Sequence, residues 1–492
     1  MEQINLGGAR NCVDMKYVGF MPNTGKIKPV HVAGGSLRCI YGEYNCSKSI
    51  KKMAVVSNAK GVVPPGRDTE TIYSELKKNE KIEKGISLND VDVMRNAMQK
   101  LLSVDNGVFV IAKDSQDRMT SYSAGSKYFL TVTAMLEDAG EFIGSIIHNY
   151  CPELAAHIKG LLDEGNDPIT HLFEPILEYD GVVFEQQNMC EDVSIFKNRN
   201  NKVEWFLKGV KDGGECLVNN LRHHSNPLTQ LRLFNLFCIF NIFKYMALLE
   251  AFYCDGSIRP ILLDFSGKNP KVSSIARASE MSYTQMCKSI NRFYAWGYSK
   301  WLKENGYTKE ELLKSATPIY TKSKKTNDEE LEALWQITKD RVSKIEEEDA
   351  FLAFGETMND MLASKTNAHP LGYLKALGKL SGILYPPDNF HPNKRFVVSQ
   401  DVLEMLLRCC ITPGEIISGI DIRERLWDRF GVIIGGSRFE MQKLQNSGMI
   451  LQIDETALEE NFSSFANTLE SMDFAEIMAD GILQIRLGGN EK

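Results

Sequence analysis

The sequence predicts a mainly helical, multi-domain chain, and three observations carry the prediction. At 492 residues it exceeds what a single hydrophobic core usually organises. Residues 203 to 315 repeat their apolar positions at the helical period with few interruptions. Short β-rich runs gather in residues 1 to about 130, and a second set of short apolar runs closes the chain. The expected organisation is an N-terminal α/β or α+β domain over 1–162, a central helical domain over 163–316, and a helical C-terminal domain over 329–492 that ends in a winged-helix-like unit.

Composition narrows the class. Hydrophobic residues at 43% and charged residues at 25% are those of a packed globular chain. The 57 basic residues against 64 acidic ones leave a net charge of −7, which argues against a surface that is basic throughout. The eleven cysteines are scattered, odd in number and never spaced Cys-x-x-Cys, so reduced thiols in a cytoplasmic protein are expected. The N-terminus lacks the charged start and apolar centre of a secretory signal.

In the first segment Tyr17–Met21, Leu37–Tyr41, Val108–Ala112 and Tyr128–Thr133 read as strands, with helices over Leu88–Leu102 and Thr69–Gly85. From Phe142 the period is helical, with a break at Asp163–Pro168. Leu231–Phe252 is the most apolar stretch, but Arg232, Asn235, Asn241, Lys244 and Glu250 interrupt it inside the ~20 residues needed to cross a bilayer. It reads as a buried helix and no membrane partner is indicated. Phe234, Phe237, Phe240 and Phe243 form a stripe along it for neighbours to cover.

A polar linker is expected over Thr321–Glu330, one or two helices over Glu329–Leu362, and an exposed proline-rich loop over Tyr385–Pro392. Beyond the loop, Ser399 is placed to cap a helix from Asp401 to Cys410, Thr412-Pro413 opens a second helix, and Asp421 a third through Phe430. Val432–Ile434, Met449–Ile453 and Ile482–Leu487 read as short strands. Three helices followed by a strand pair is the order of a winged helix, a fold that also serves purely as a protein-docking module.

The strongest local pattern is Ile275 to Ile290. Ala276, Met281, Ser282, Met286 and Ile290 fall where a helix-turn-helix needs a small crossing residue, a turn closed by an apolar residue, a cap and an apolar inner face. Over these 16 residues the segment resembles the helix-turn-helix of lactose-repressor-type regulators, including the Ser282-Tyr283 pair that opens the recognition helix. Glu280 departs from the pattern, because that turn position favours a left-handed glycine. Residues 268–303 also hold seven basic side chains against the single Glu280, with Phe293, Tyr294, Trp296, Tyr298 and Trp301 interleaved. The resemblance implies that Ser282 caps a helix presenting Tyr283, Thr284 and Lys288 to DNA, while Lys271, Arg277 and Arg292 neutralise phosphates. An ordinary amphipathic helix pair is the alternative.

Other constellations are incomplete. Gly42–Ser49 approaches the phosphate-binding loop Gly-x-x-x-x-Gly-Lys-Ser/Thr, but Ser47 stands where the second glycine lets amides wrap a phosphate. Asp264, after the apolar Ile261-Leu262-Leu263, would be the magnesium partner of such a loop. His148, His157, His223 and His224 lack partners at metal-ligand spacing, and Glu346–Asp349 reads as the wet face of a helix. No catalytic set, metal site or cofactor is indicated.

The segment Asp421 to Gly436 is similar to the tail of large accessory proteins of bacterial anti-phage restriction systems, which are encoded beside a motor ATPase and a modification enzyme. That resemblance implies a non-enzymatic, DNA-associated subunit of a bacterial multi-protein complex with an ATPase partner. Two other classes stay open: a protein-docking scaffold without DNA contact, and an enzyme, either a divergent nucleotide hydrolase or a nuclease with dispersed acidic residues.

Overall fold

The computed structural model describes the chain apart from residues 1–2, 23–28, 48, 51–52, 54–67, 80–81, 83, 104–124, 131–137, 186–188, 198, 255, 321–327, 366–368, 389–392, 437, 448–452, 454, 480 and 488–492. It is a largely helical, multi-domain architecture with small, scattered β elements.

The architecture is organised around one helix, Pro227–Tyr253, called here the core helix. Asn226 caps its start by accepting from the amides of Leu228 and Thr229, and Pro227 sits at the first helical position, where its missing N–H costs nothing. Twenty-one of its residues are buried, on every side. A helix that is apolar all round must be enclosed, and the 94% burial of its most apolar window is that of a core helix. Phe234, Phe237, Phe240 and Phe243 are all fully buried, as the stripe requires.

Around it pack Asn201–Leu221, Pro29–Tyr41, Asp138–Tyr150, Gln400–Arg408 and the 31-residue Ser274–Glu304, called here the long helix. The main hydrophobic core accordingly takes side chains from Ile4 through Leu487, drawing on all three expected segments. A second core gathers Ile72, Met94, Phe129 and Phe173. A third joins Leu262, Ile275, Ile433 and Leu458 across the central and C-terminal segments.

The N-terminal segment corrects its expected α/β character. Leu37–Tyr41 is the end of the helix Pro29–Tyr41, whose thirteen residues are all buried. A short continuous apolar run has no period that separates a buried helix from a buried strand. Glycines on the facing helix allow the close approach: a Cβ on Gly140 would lie 2.4 Å from the Val32 carbonyl oxygen, and one on Gly144 2.8 Å from the Ser36 Cα. Tyr17 and Val18 close a π-helical turn over Asp14–Val18, and Lys127–Phe129 is a 3-10 turn. The strands described there are Glu43–Asn45 and, brought from further along, Gly181–Val183. Val108–Ala112 lies outside the described residues. The expected helices do form, as Thr69–Lys78 and Leu88–Ser103.

In the C-terminal segment Ser399 caps Gln400–Arg408 as expected, accepting from the Val402 amide. The helix expected at Thr412-Pro413 is instead a turn, because Gly414 adopts φ 78° and the strand Ile416–Ser418 follows. Gly419–Phe430 begins two residues earlier than expected, with Ser418 and Asp421 forming a capping box. Leu483–Arg486 lies between Ile416–Ser418 and Ala475–Ile477 in an antiparallel sheet. Val432–Ile433 pairs elsewhere, parallel to Ile261–Leu262. Most of Met449–Ile453 is outside the described residues.

Two measurements test this frame. Phe237→Asp puts a charge into a fully buried site, and its loss of roughly 3–5 kcal/mol or more should appear as a collapsed thermal transition; melting like wild type would put the stripe on a surface. Lys244, buried in the core helix, has its ammonium pushed down to about 7 from 10.5 by burial. Between those values the unfolded chain holds a proton that the folded chain has released, so folding gains stability as pH rises from 7 toward 10, by about 1.4 kcal/mol per unit at most. The Lys244→Met variant should lose that slope in pH-dependent denaturant melts.

Candidate nucleic-acid interface and buried charge cluster

The helix-turn-helix expected over 275–290 is one uninterrupted stretch of the long helix. Its cap is Ser273, which accepts from the Ala276 amide, and no turn occurs at Glu280. The physical reason is the residue that departed from the pattern. Glutamate is a good helix former and a poor left-handed one, so the chain continues helical where glycine would have turned it.

The small residues of the pattern do mark a crossing, but what crosses them is extended chain. Ser282 Oγ donates to the Pro260 carbonyl at 2.6 Å and accepts from the Leu262 amide at 3.4 Å. Ser279 Oγ accepts from the Phe396 amide at 2.8 Å. Tyr283 is buried with its ring edge-on to Phe396 at 5.8 Å, and burial raises its phenol well above the ordinary value. Ser282 and Tyr283 are therefore not a cap and a base-reading side chain, which corrects their expected roles.

The remaining candidates face solvent. Arg277, Thr284 and Lys288 are exposed at i, i+7 and i+11, one stripe of the long helix, with Lys271 exposed just before its cap. Thr284 Oγ bonds back to the Glu280 carbonyl at 2.9 Å. A second helix, Pro370–Leu380, brings Lys375 within electrostatic range of Cys287, next to Lys288. Sequence reasoning missed this lysine, since nothing along the chain links 375 to 288.

Arg292 has a different employment. Its Nε and Nη2 grip both carboxylate oxygens of Glu250 on the core helix, the Nη2 contact at 2.8 Å. Ser289 Oγ donates to the same carboxylate at 2.6 Å and Arg259 approaches at 3.4 Å. Burial pushes the Glu250 carboxyl up, but the bonds from Arg292 and Ser289 and the charges of Arg292 and Arg259 outweigh it and hold the group below its usual value. Two guanidiniums around one carboxylate leave the cluster net positive, and 47% of the Arg292 side chain remains exposed.

The phosphate-loop candidate is built around an anion of its own. Ser47 and Ser49 donate their hydroxyls to Glu178 Oε2 at 3.0 and 2.8 Å, and the Ser47 amide donates to the Asn45 side chain. Lys48 lies outside the described residues. Asp264 is buried, ion-paired with Arg395 at 3.1 Å and accepts from Ser266. Of the histidines, His157 bonds Gln230 at 2.7 Å and His224 stands 3.9 Å from Glu404. Among the described residues no group of three or more His, Cys, Asp or Glu side chains is arranged to hold a metal ion.

No protein-family model, curated protein or solved structure matches the chain.

Because the Glu178 carboxylate takes the serine hydroxyls and would repel phosphate, titrating ATP with magnesium into the protein should give no binding heat in calorimetry. Micromolar binding that Ser47→Ala and Ser49→Ala abolish would reverse this reading of the loop.

Proposed function

We propose that this chain is a non-enzymatic subunit of a bacterial multi-protein assembly that rests on nucleic acid through phosphate contacts, without reading bases from the long helix. The observation that carries the reading is the exposed stripe of Arg277, Thr284 and Lys288, preceded by Lys271 and with Lys375 in electrostatic range of Cys287 beside it. Cations set along one helix and beside it suit a backbone track, and backbone contacts position a protein without conferring sequence preference. The net charge of −7 argues against nucleic-acid binding over the whole surface. The likeness of Asp421–Gly436 to accessory proteins of anti-phage restriction supports placing the assembly in restriction of foreign DNA, with a motor ATPase as partner.

The C-terminal unit fits the protein-facing half of this role. Its order, helix Gln400–Arg408, strand Ile416–Ser418, helix Gly419–Phe430, further helices and then the hairpin Ala475–Ile477 and Leu483–Arg486, is winged-helix-like, with the first strand paired to the last. The helix before the hairpin, Glu455–Ser471, occupies the place that reads DNA in such folds. It carries Glu455, Glu459, Glu460 and Glu470 and neither lysine nor arginine. That charge repels phosphate, so this unit suits docking to a protein partner.

Fluorescence anisotropy with duplex DNA at low and moderate salt tests the proposal. Binding should weaken with salt, and Lys271→Ala, Arg277→Ala and Lys288→Ala should each lower the log–log salt slope by about one unit and act alike on unrelated sequences. Glu280→Gln should tighten binding by removing a repelling charge, whereas Glu280→Gly should cost about 1 kcal/mol of helix stability. Salt-independent binding, or none, would leave the docking role alone.

A further inference from the structure

Residues 411–487 hold thirteen acidic side chains against six basic ones, so this stretch accounts for all of the chain's net charge of −7. Inside that negative field one end of the three-stranded sheet is apolar. Ile420, Ile477, Met478 and Ile482 are 60%, 40%, 39% and 52% exposed.

The register of the sheet brings the four together. Ser418 pairs with Gln484, and a Cβ on the next residue, Gly419, would lie 3.6 Å from the Leu483 Cβ. One step further along the same register Ile420 comes level with Ile482. Across the hairpin Ile477 pairs with Leu483, and the Met478 amide donates to the Ile482 carbonyl at 2.9 Å. Single exposed apolar side chains are ordinary on a protein surface, but four large ones gathered at one end of a sheet mark a contact surface.

The backbone edges of the sheet are closed. On one edge strand the Ile477 amide donates to Glu470 Oε1 at 3.3 Å, and on the other the Ser418 amide donates to Asp421 Oδ2 at 3.0 Å. Both edge strands are three residues long. Short edges whose amides are held by carboxylates are poor templates for an added strand. A partner therefore meets the patch through side chains, as a helix does.

Charge selects the kind of helix. Asp421 and Glu470, which hold those two amides, border the patch, and Glu476 precedes Ile477 on its strand; all three are exposed. Arg486, the one basic residue of the three strands, pairs with Ile416 at the far end of the sheet. DNA, an anionic membrane and the same patch on a second copy would each bring negative charge against this rim, whereas lysine and arginine are attracted to it.

We propose that the tip formed by Ile420, Ile477, Met478 and Ile482 seats an amphipathic helix of a partner protein, with the apolar stripe of that helix on the four side chains and its flanking lysines or arginines against Asp421, Glu470 and Glu476. The inference rests on the protein-docking role proposed for the C-terminal unit, and it specifies where on that unit the partner sits and what chemistry it presents.

The test titrates the full chain into a fluorescein-labelled peptide of leucine and lysine at helical spacing. A leucine–glutamate peptide of the same pattern, phosphatidylglycerol vesicles and sedimentation velocity of the protein alone complete it. The leucine–lysine peptide should bind and weaken with salt, and the leucine–glutamate peptide should bind at least about tenfold more weakly. Replacing Ile420→Ser and Ile482→Ser together should weaken the leucine–lysine peptide by about tenfold or more and leave the melting temperature and duplex DNA affinity unchanged, whereas Ile416→Ser, at an equally exposed position on the far end of the sheet, should have no effect. The inference is overturned if the double variant binds the peptide like wild type, if the leucine–glutamate peptide binds as well, or if the double variant abolishes vesicle binding or self-association instead. Peptide binding that Glu459→Lys with Glu460→Lys abolishes, but the isoleucine variants leave intact, would overturn this inference and keep the docking role on the acidic helix. Absence of peptide binding would sink both.

Discussion

Everything in this structure follows from the need to enclose a 27-residue helix on all sides. Its phenylalanines make ring contacts outward in different directions: Phe240 meets Phe430 edge-on at 5.4 Å, and Phe243 meets Phe396 at 5.9 Å. No single neighbour can cover such a helix. The wrapping elements must therefore come from distant parts of the chain, and residues from Ile4 to Leu487 share the core that results.

Apolar burial alone would let those wrapping elements slide, and the polar residues of the core helix prevent it. Asn235 donates to the Pro29 carbonyl, Tyr245 to the Val18 carbonyl at 3.0 Å, and Lys244 to the Arg429 carbonyl, while Glu250 holds Arg292 and Ser289. Each buried polar group must find its partner or forfeit its desolvation cost, so each fixes one neighbour in register. Lys244 lies over the ring of Trp205 at 4.3 Å, and that contact partly offsets its burial. The same arrangement delivers Arg292 to the edge of the core with a carboxylate in its grip.

The extended segment lying across the long helix is a second such device. Asn461 donates to the carbonyls of Leu263 and Ile434 and accepts from the Phe265 amide, tying the parallel strand pair to the C-terminal unit. Ser282 receives this chain at Pro260 and Leu262, and Ser279 receives the neighbouring strand at Phe396. Small residues at a crossing were thus a correct inference about close approach and a wrong one about what approaches. Sequence spacing encodes the steric need of a helix face but not the identity of the element that meets it.

What the sequence by itself determined is what depends on neighbours within a few residues. Helix period, the cap at Ser399, the break near Gly165 and the burial of the phenylalanine stripe are all local matters of propensity and patterning. The exposed charges of Lys271, Arg277 and Lys288 were legible in the same way. Only the tertiary structure decided whether Leu37–Tyr41 was strand or helix, since a run buried on both sides carries no period. It also decided that Ser282 and Tyr283 point inward, where strands from residues 261 and 396 arrive. Lys375 came within range of Cys287, beside Lys288, and Asn359 met Asn291, through the same long-range packing. Those pairings depend on how separate helices cross, a quantity set by glycines at contact points such as Gly355 and by the core they enclose, and no single stretch of chain records it.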